Sequence, residues 1–202
     1  MKIKICGLRT PGDANVVNEA MPDYVGFILS EGYKRTVSEE TAKLLGKFID
    51  PQIQRVGVFV NEERARIKRL MYNGLIDIVQ LHGNESDEYI DDLKGGEGSI
   101  IKVFKVDDNF DLSKAERSHA DMIMFDSGTG SGETFDWSRV KDCKRPFILA
   151  GGIGPGNIVQ ACEALRGSGL YAVDMSSSVD KGGHKDEDLV VQAVNEAHSV
   201  NY

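Results

Sequence analysis

The sequence of 202 residues has few cysteines, no excess of basic residues and no long apolar run. Its three cysteines (Cys6, Cys143 and Cys162) are widely spaced, which argues against a disulfide framework and against a zinc site. A net charge of −8 argues against binding of duplex nucleic acid, which needs a basic face. No run approaches the roughly 18 apolar residues that span a bilayer, and we find no signal peptide. We therefore expect a cytoplasmic protein without membrane or nucleic-acid partners.

Short runs rich in β-branched and other apolar residues alternate along the whole chain with amphipathic segments. Most of these runs are apolar on both faces, which is typical of strands that are covered on both sides in a parallel sheet. The predicted strands span residues 2–6, 24–29, 55–60, 76–81, 100–104, 122–126, 146–150 and 170–175. Helix starts are indicated at Pro11, Asn61, Ser86, Pro155 and about Asp186.

Eight strand–helix units without a linker or a change of composition indicate one α/β domain over residues 1–202. A doubly wound open sheet has the same periodicity, but the number eight favours a closed single-domain (β/α)₈ TIM barrel. In such barrels the working residues follow the carboxyl ends of the strands. Because the surface helices carry no long apolar excess, we expect a monomer or a weak homodimer.

The ends of the seventh and eighth predicted strands are rich in glycine and serine. Loops at these places often hold phosphate in TIM barrels, because glycine lets the backbone approach an anion and serine hydroxyls donate hydrogen bonds. In the alternative interpretation these segments are only glycine-rich turns. The candidate phosphate-binding residues are Gly151, Gly152, Ser176, Ser177 and Ser178.

Cys6 and Asp126 end the first and sixth predicted strands, so a barrel brings both to one mouth. They can exchange protons with a substrate if nearby donors or a cation stabilise the Cys6 thiolate and if partial burial raises the pKa of Asp126. In the alternative interpretation Cys6 is a small buried residue and Asp126 forms a turn. Lys4 shares the parity of Cys6, so it also points inward and needs a carboxylate partner, for which Asp126 and Asp174 are placed.

Motifs from the first strand to the last helix resemble the phosphoribosylanthranilate isomerase family. Each motif is short, but their order and their positions at strand ends make the resemblance specific. The motifs are residues 4–7 (KICG), 26–27 (GF), 30, 35–37 (RTV), 56–59 (VGVF), 80–83 (QLHG), 130–137 (GSGETFDW), 149–153 (LAGGI) and 173–177 (VDMSS).

The resemblance implies a TIM barrel that carries out an Amadori rearrangement in tryptophan biosynthesis without a cofactor or a metal. Asp126 is then the general acid that opens the ribose ring, and Cys6 is the general base that takes the C2 proton. The resemblance also implies that Arg35 binds the anthranilate carboxylate and that Asp174 lies near the substrate amine. The same resemblance places Gln80 and His82 at the mouth, where a histidine could equally be structural.

The chain departs from the family pattern in its loops. Ser178 stands where the family usually has glycine, and a side chain there could crowd the phosphate or change the backbone angle. The loop 180–186 lacks a proline that is common before the glycine, and Ser131 and Glu133 replace residues that are frequently Thr and Lys. Related phosphosugar barrels, and a barrel that binds its ligand without turnover, remain as alternatives. An isomerase that pairs two aspartates is disfavoured by Cys6, and an enzyme that relies on lysines is disfavoured by the absence of a clear lysine pair.

Overall fold

The computed structural model describes residues 1–95, 98–128 and 134–200, and its centre is a barrel of eight parallel strands. Each strand pairs with the next along the chain, and the first pairs with the eighth, so that the sheet closes. The strands are β1 (Lys2–Cys6), β2 (Tyr24–Ile28), β3 (Gln54–Phe59), β4 (Ile78–Leu81), β5 (Ser99–Lys105), β6 (Met122–Asp126), β7 (Phe147–Leu149) and β8 (Leu170–Met175).

Helices cover the outside of the barrel, and most of them begin at a side-chain cap. The hydroxyl of Thr10 and the carboxylate of Asp13 cap the first helix reciprocally, and Ser38, Ser86 and Asp186 cap three others. The helices are α1 (Pro11–Ala20), α2 (Glu39–Gly46), α3 (Arg64–Tyr72), α4 (Asp87–Leu93), α5 (Leu112–Glu116), α6 (Ile158–Ala164) and α7 (Glu187–Ser199). No helix within the described ranges is long and apolar enough to cross a membrane.

Three short elements interrupt the alternation of strands and helices. A 3₁₀-helix (Trp137–Val140) stands between β6 and β7, and a second one (Ser177–Val179) follows β8. A small antiparallel hairpin of β9 (Asp180–Lys181) and β10 (His184–Lys185) then leads into α7. This hairpin carries charged side chains to the barrel mouth.

The closed barrel confirms the predicted fold and excludes the open sheet, because an open sheet has no pairing between its first and last strands. The predicted bounds of β1, β6 and β8 match the structure, and the others differ by one or two residues. The helix expected from Pro155 begins at Ile158 instead. The backbone of Gly156 has a φ of +95°, a conformation that a right-handed helix cannot contain.

Side chains alternate between the barrel interior and the layer under the helices. Ile3 and Ile5 belong to the outer core, whereas Lys4 and Cys6 have the opposite parity and face inward. An apolar interior cluster fills the barrel below the polar residues of the mouth. Its members are Tyr24, Val56, Ile78, Ile101, Val103, Met124, Ile148, Ala150 and Ala172. The interior is therefore packed, and only its carboxyl-terminal end is left for a ligand.

Candidate active site

A cavity of about 370 Å³ opens at the carboxyl ends of the strands. This volume lies in the range of small-molecule sites. The cavity brings together most of the residues that the sequence singles out, although they are distant along the chain. Its predicted members are Arg35, Asp126, Gly151, Gly152, Asp174, Ser176, Ser177 and Ser178. Cys6 and Gln80 are buried, and His82 contacts Asp126 at the rim.

Asp126 ends β6 and is held by groups that favour its charged form. Nε2 of His82 lies 3.4 Å from its Oδ2, and the backbone N–H of Gly128 donates to Oδ1 over 3.0 Å. Burial raises the pKa of Asp126, but the hydrogen bonds from His82 and Gly128 outweigh it, so the pKa is lowered overall. The condition that burial raises this pKa is therefore not met in the free protein, because His82 and the loop after β6 supply donors that the sequence does not reveal.

Cys6 ends β1 with its thiol packed against the backbone of Gly26. A Cβ atom at position 26 would lie 2.6 Å from Sγ of Cys6 and 3.2 Å from Nζ of Lys4, so only glycine leaves room for both groups. Burial raises the pKa of Cys6, and the neighbouring Lys4 ammonium opposes that shift without cancelling it. A cation that can stabilise the thiolate is thus present, but the raised pKa makes the thiol the stable form of Cys6 in the free protein.

Lys4 is fully buried inside the barrel and donates to Oδ1 of Asp174 over 2.8 Å. Of its two predicted partners, Asp174 is the observed one, since it stands opposite Lys4 in the β1–β8 register. Burial lowers the pKa of Lys4, but the attraction of the Asp174 carboxylate is the main effect that outweighs it, so the pKa is raised and Lys4 stays charged. Lys4 thus places an ammonium group beside the thiol, and Asp174 holds that group in position.

Arg35 reaches the cavity from the segment after β2, but its guanidinium is already paired. Nε and Nη2 donate to Oδ2 of Asp180 over 2.9 and 2.7 Å. The other oxygen of Asp180 accepts from Nζ of Lys185 over 2.6 Å. Sequence reasoning missed Asp180 and Lys185, because no motif marks them and only the hairpin of β9 and β10 brings them to Arg35.

The serine hydroxyls of the predicted phosphate site serve mainly to fix the loops. Ser176 donates to the carbonyl of Cys6 over 3.1 Å, and Ser178 donates to the carbonyl of Ile153 over 2.5 Å. Two of the three hydroxyls expected to face phosphate therefore bind backbone in the free protein. The side chain of Ser178 fits against Gly154, and its backbone has no positive φ, so it is accommodated without strain.

The glycines of the predicted phosphate site have the backbone that the sequence implies. Gly151 and Gly152 have φ values of +77° and +69°, which a side chain would disfavour. At Gly151 a Cβ atom would also lie 2.6 Å from the backbone N of Ser127, so the two loops touch. These glycines leave the backbone bare along one wall of the cavity.

Gln80 lies inside the barrel below the cavity, as a buried polar residue. Gln80 is 2% exposed, and its Oε1 is a buried oxygen without a hydrogen-bond partner among the described residues.

The segment 129–133, with Ser131 and Glu133, lies outside the described residues. Within the described ranges no group of three His, Cys, Asp or Glu side chains could hold a metal ion.

Comparison with known proteins shows what family has this arrangement. Residues 3–196 match the family model of N-(5'phosphoribosyl)anthranilate (PRA) isomerase. The chain belongs to this family. An N-(5'-phosphoribosyl)anthranilate isomerase of Endomicrobium trichonymphae is 40% identical over 96% of both chains. The match confirms the predicted family and, with it, the prediction of an isomerase of tryptophan biosynthesis.

Solved structures of phosphoribosylanthranilate isomerases have the same barrel. The crystal structure of the Thermus thermophilus enzyme has a TM-score of 0.87, with 29% identity and complete coverage of both chains. A phosphoribosylanthranilate isomerase in complex with reduced 1-(o-carboxyphenylamino)-1-deoxyribulose 5-phosphate has a TM-score of 0.86 and 32% identity, and the match covers 99% of this chain and 100% of that one. That protein therefore binds a phosphosugar that carries a carboxyphenylamino group.

Proposed function

We propose that this member of the phosphoribosylanthranilate isomerase family converts N-(5-phosphoribosyl)anthranilate to 1-(2-carboxyphenylamino)-1-deoxyribulose 5-phosphate, with its own side chains as acid and base and without a cofactor. The observation that carries the proposal is the meeting of Asp126, Asp174 and Arg35 in one cavity beside glycine-rich loops. A carboxylic acid, a second carboxylate and a guanidinium match the ring oxygen, the amine and the carboxylate of this substrate.

Asp126 is the proposed general acid. It gives its proton to the ribose ring oxygen, the bond between C1 and that oxygen breaks, and a Schiff base with the anthranilate nitrogen forms. Cys6 then removes the proton from C2, and the electrons of that C–H bond move toward the nitrogen to give an enolamine. Tautomerisation of the enolamine yields the ketone. The nitrogen of the substrate accepts the electrons, so this sequence of steps is balanced without a cofactor.

The free protein holds this pair in the opposite protonation states. The pKa of Asp126 is lowered and that of Cys6 is raised, so Asp126 is ionised and Cys6 is a thiol at neutral pH. We infer that the rearrangement uses the minor form in which one proton has moved from Cys6 to Asp126. The net charge of the site is the same in both forms, so their ratio does not change with pH between the two pKa values. His82 is the side chain nearest to the Asp126 carboxylate, with its Nε2 3.4 Å from Oδ2.

Binding is assigned to the remaining cavity residues. We propose that Arg35 pairs with the anthranilate carboxylate and that Asp174 accepts from the substrate amine. The phosphate lies against the bare backbone of Gly151 and Gly152, with the serine loop 176–178 opposite. Gln80 offers an unpartnered buried oxygen below the mouth, which suits a hydroxyl of the ribose chain.

The decisive test follows the fluorescence of freshly prepared phosphoribosylanthranilate with the wild type, Asp126→Asn and Cys6→Ser. We expect rapid loss of substrate with the wild type. In each variant the rate of substrate loss should be roughly 10²- to 10⁴-fold lower, which is the range of general acid–base catalysis. Turnover close to that of the wild type in either variant would remove the role of that residue. No turnover by a folded wild type would indicate a related phosphosugar substrate or a protein that only binds its ligand.

A further inference from the structure

Asp180 and Lys185 form a chain of charged groups that holds Arg35 on the side away from the cavity. Oδ2 of Asp180 accepts from both Nε and Nη2 of Arg35, and Oδ1 of Asp180 accepts from Nζ of Lys185. Each carboxylate oxygen of Asp180 thus accepts hydrogen bonds from one cation only, Oδ2 from Arg35 and Oδ1 from Lys185. Arg35 and Asp180 keep side-chain exposures of 20% and 12%, whereas the side chain of Lys185 is 1% exposed. The chain of charges therefore runs from the cavity wall into the protein.

The buried end of this chain is anchored at both its backbone and its ammonium group. Nζ of Lys185 donates to the carbonyl of Ser176 over 3.0 Å, and the backbone N–H of Lys185 donates to Oδ1 of Asp13 over 3.0 Å. Asp13 is itself buried and caps α1. Lys185 also stands opposite Asp180 in the β9–β10 hairpin. The position of Asp180 is consequently set by the hairpin, by α1 and by the loop after β8.

This arrangement leaves one edge of the guanidinium available. Asp180 takes the edge formed by Nε and Nη2, and Nη1 has no protein partner among the described residues. Arg35 lines the cavity, and its Cδ lies over Gly7, where a Cβ atom would approach it to 2.6 Å. A guanidinium held in this way can still bind a carboxylate in a bidentate manner through Nη1 and Nη2.

We infer that Asp180 and Lys185 are positioning residues, which hold Arg35 so that its free edge meets the carboxylate of the substrate. Asp180 fixes the guanidinium, and Lys185 neutralises Asp180 and ties it to the fold. Without Asp180 the two cations would repel each other, and Arg35 would lose its fixed orientation. The inference rests on the proposed function, because it needs a substrate that carries a carboxylate.

A double-mutant cycle between Asp180→Asn and Arg35→Ala tests the inference. If Asp180 acts through Arg35, Asp180→Asn alone raises the KM for phosphoribosylanthranilate about tenfold and changes kcat less than about threefold, as expected for an interaction made equally in the ground state and the transition state. In the Arg35→Ala background the same substitution then adds less than about twofold to KM. The inhibition constant of inorganic phosphate should change less than KM, because Lys185 keeps its hydrogen bond to the carbonyl of Ser176 in the proposed phosphate loop.

Lys181→Ala is the matched control, since Lys181 lies on the same hairpin with a side chain that is 81% exposed. It should have wild-type KM and kcat. If Asp180→Asn does not fold by circular dichroism, Asp180→Glu replaces it. Glutamate keeps the charge but displaces the carboxylate by one methylene, and we expect the same rise in KM.

Three outcomes would overturn the inference. Multiplicative effects of Asp180→Asn and Arg35→Ala on KM would show that Asp180 acts independently of Arg35. An unchanged or lower KM in Asp180→Asn would show that Asp180 does not help Arg35 to bind substrate. Both results would leave the proposed function intact as long as the wild type turns the substrate over, whereas no turnover by the wild type would overturn both proposals.

Discussion

At the scale of single residues, the environment of Cys6 opposes the role that we propose for it. Burial favours the neutral thiol, and the ammonium of Lys4 is the main group that favours the thiolate. Lys4 is itself kept charged by Asp174, which lies 2.8 Å away. The reactivity of the thiol therefore depends on a cation that does not touch the solvent and that the barrel register holds in place.

Replacing Lys4 with methionine tests whether the reactivity of the Cys6 thiol depends on the Lys4 ammonium. In Lys4→Met the pKa of Cys6 should rise further, and each unit of that rise lowers the thiolate fraction about tenfold at neutral pH. We expect kcat/KM at pH 7 to fall at least about tenfold and the limb of the pH profile that Cys6 sets to move to higher pH. An uncompensated Asp174 should also lower the free energy of unfolding by about 3 kcal/mol.

Lys2→Met is the control for this variant. Lys2 lies on the same strand, its side chain is 50% exposed, and it pairs with Asp23 at the other end of the barrel. We expect its pH profile of kcat/KM to match the wild type. A Lys4→Met profile that also matches the wild type would remove Lys4 from the chemistry of Cys6.

At the scale of elements, a buried ion pair ties the loop after β4 to β5. Nζ of Lys102 donates to Oε2 of Glu85 over 2.7 Å and to the carbonyl of Gly83 over 2.6 Å. Glu85 also accepts from the backbone N–H groups of Asn61 and Gly83. His82, the neighbour of Asp126, stands on the same loop. The pair therefore holds one wall of the candidate site.

This pair predicts how stability depends on pH. Burial raises the pKa of Glu85, but Lys102 and the backbone donors outweigh it and lower the pKa overall. A lowered pKa stabilises the fold above the unfolded value of 4.5, and this contribution disappears as pH falls through the folded pKa. Glu85→Gln should therefore cost about 3 kcal/mol at pH 7 and less below about pH 4.

Urea unfolding at several pH values measures this difference. Glu88→Gln is the control, because Glu88 is an exposed residue on the neighbouring helix α4. The free energy of unfolding of Glu88→Gln should equal that of the wild type at every pH. A cost of Glu85→Gln that stays constant from pH 7 to about pH 3.5 would contradict the linkage.

At the scale of the whole molecule, the first and last parts of the chain depend on each other. β1 pairs with β8, and the terminal ammonium of Met1 donates to the carbonyls of Ala197 and Val200 at the end of α7. The barrel closes only when both ends are in place. We therefore expect the chain to unfold as one cooperative unit.

The single tryptophan, Trp137, provides a local probe for this prediction. Its fluorescence reports the segment between β6 and β7, whereas far-ultraviolet circular dichroism reports all helices. The two urea transitions should coincide in midpoint and slope. Separate transitions would show that parts of the barrel unfold independently.

The order of elements and the location of the candidate site could be predicted from the amino-acid sequence. Strands with apolar residues on both faces are distinct in the sequence, and parallel strands put their carboxyl ends at one mouth. For this reason the sequence places Cys6, Asp126 and Asp174 together. It does not reveal the partners of Asp126, because His82 and the N–H of Gly128 reach the carboxylate through loop conformations that have no periodic signal.

The sequence by itself determined the eight alternating units, the family and the parity that turns Lys4 and Cys6 inward. These properties depend on local patterns and on the spacing of residues along one strand. Only the tertiary structure decided which carboxylate pairs with Lys4, that Asp180 and Lys185 support Arg35, and that burial and hydrogen bonds move the pKa values of Cys6 and Asp126 in opposite directions. The physical reason is that electrostatic interactions depend on distance and solvent exposure, which are set by contacts between residues far apart in the chain.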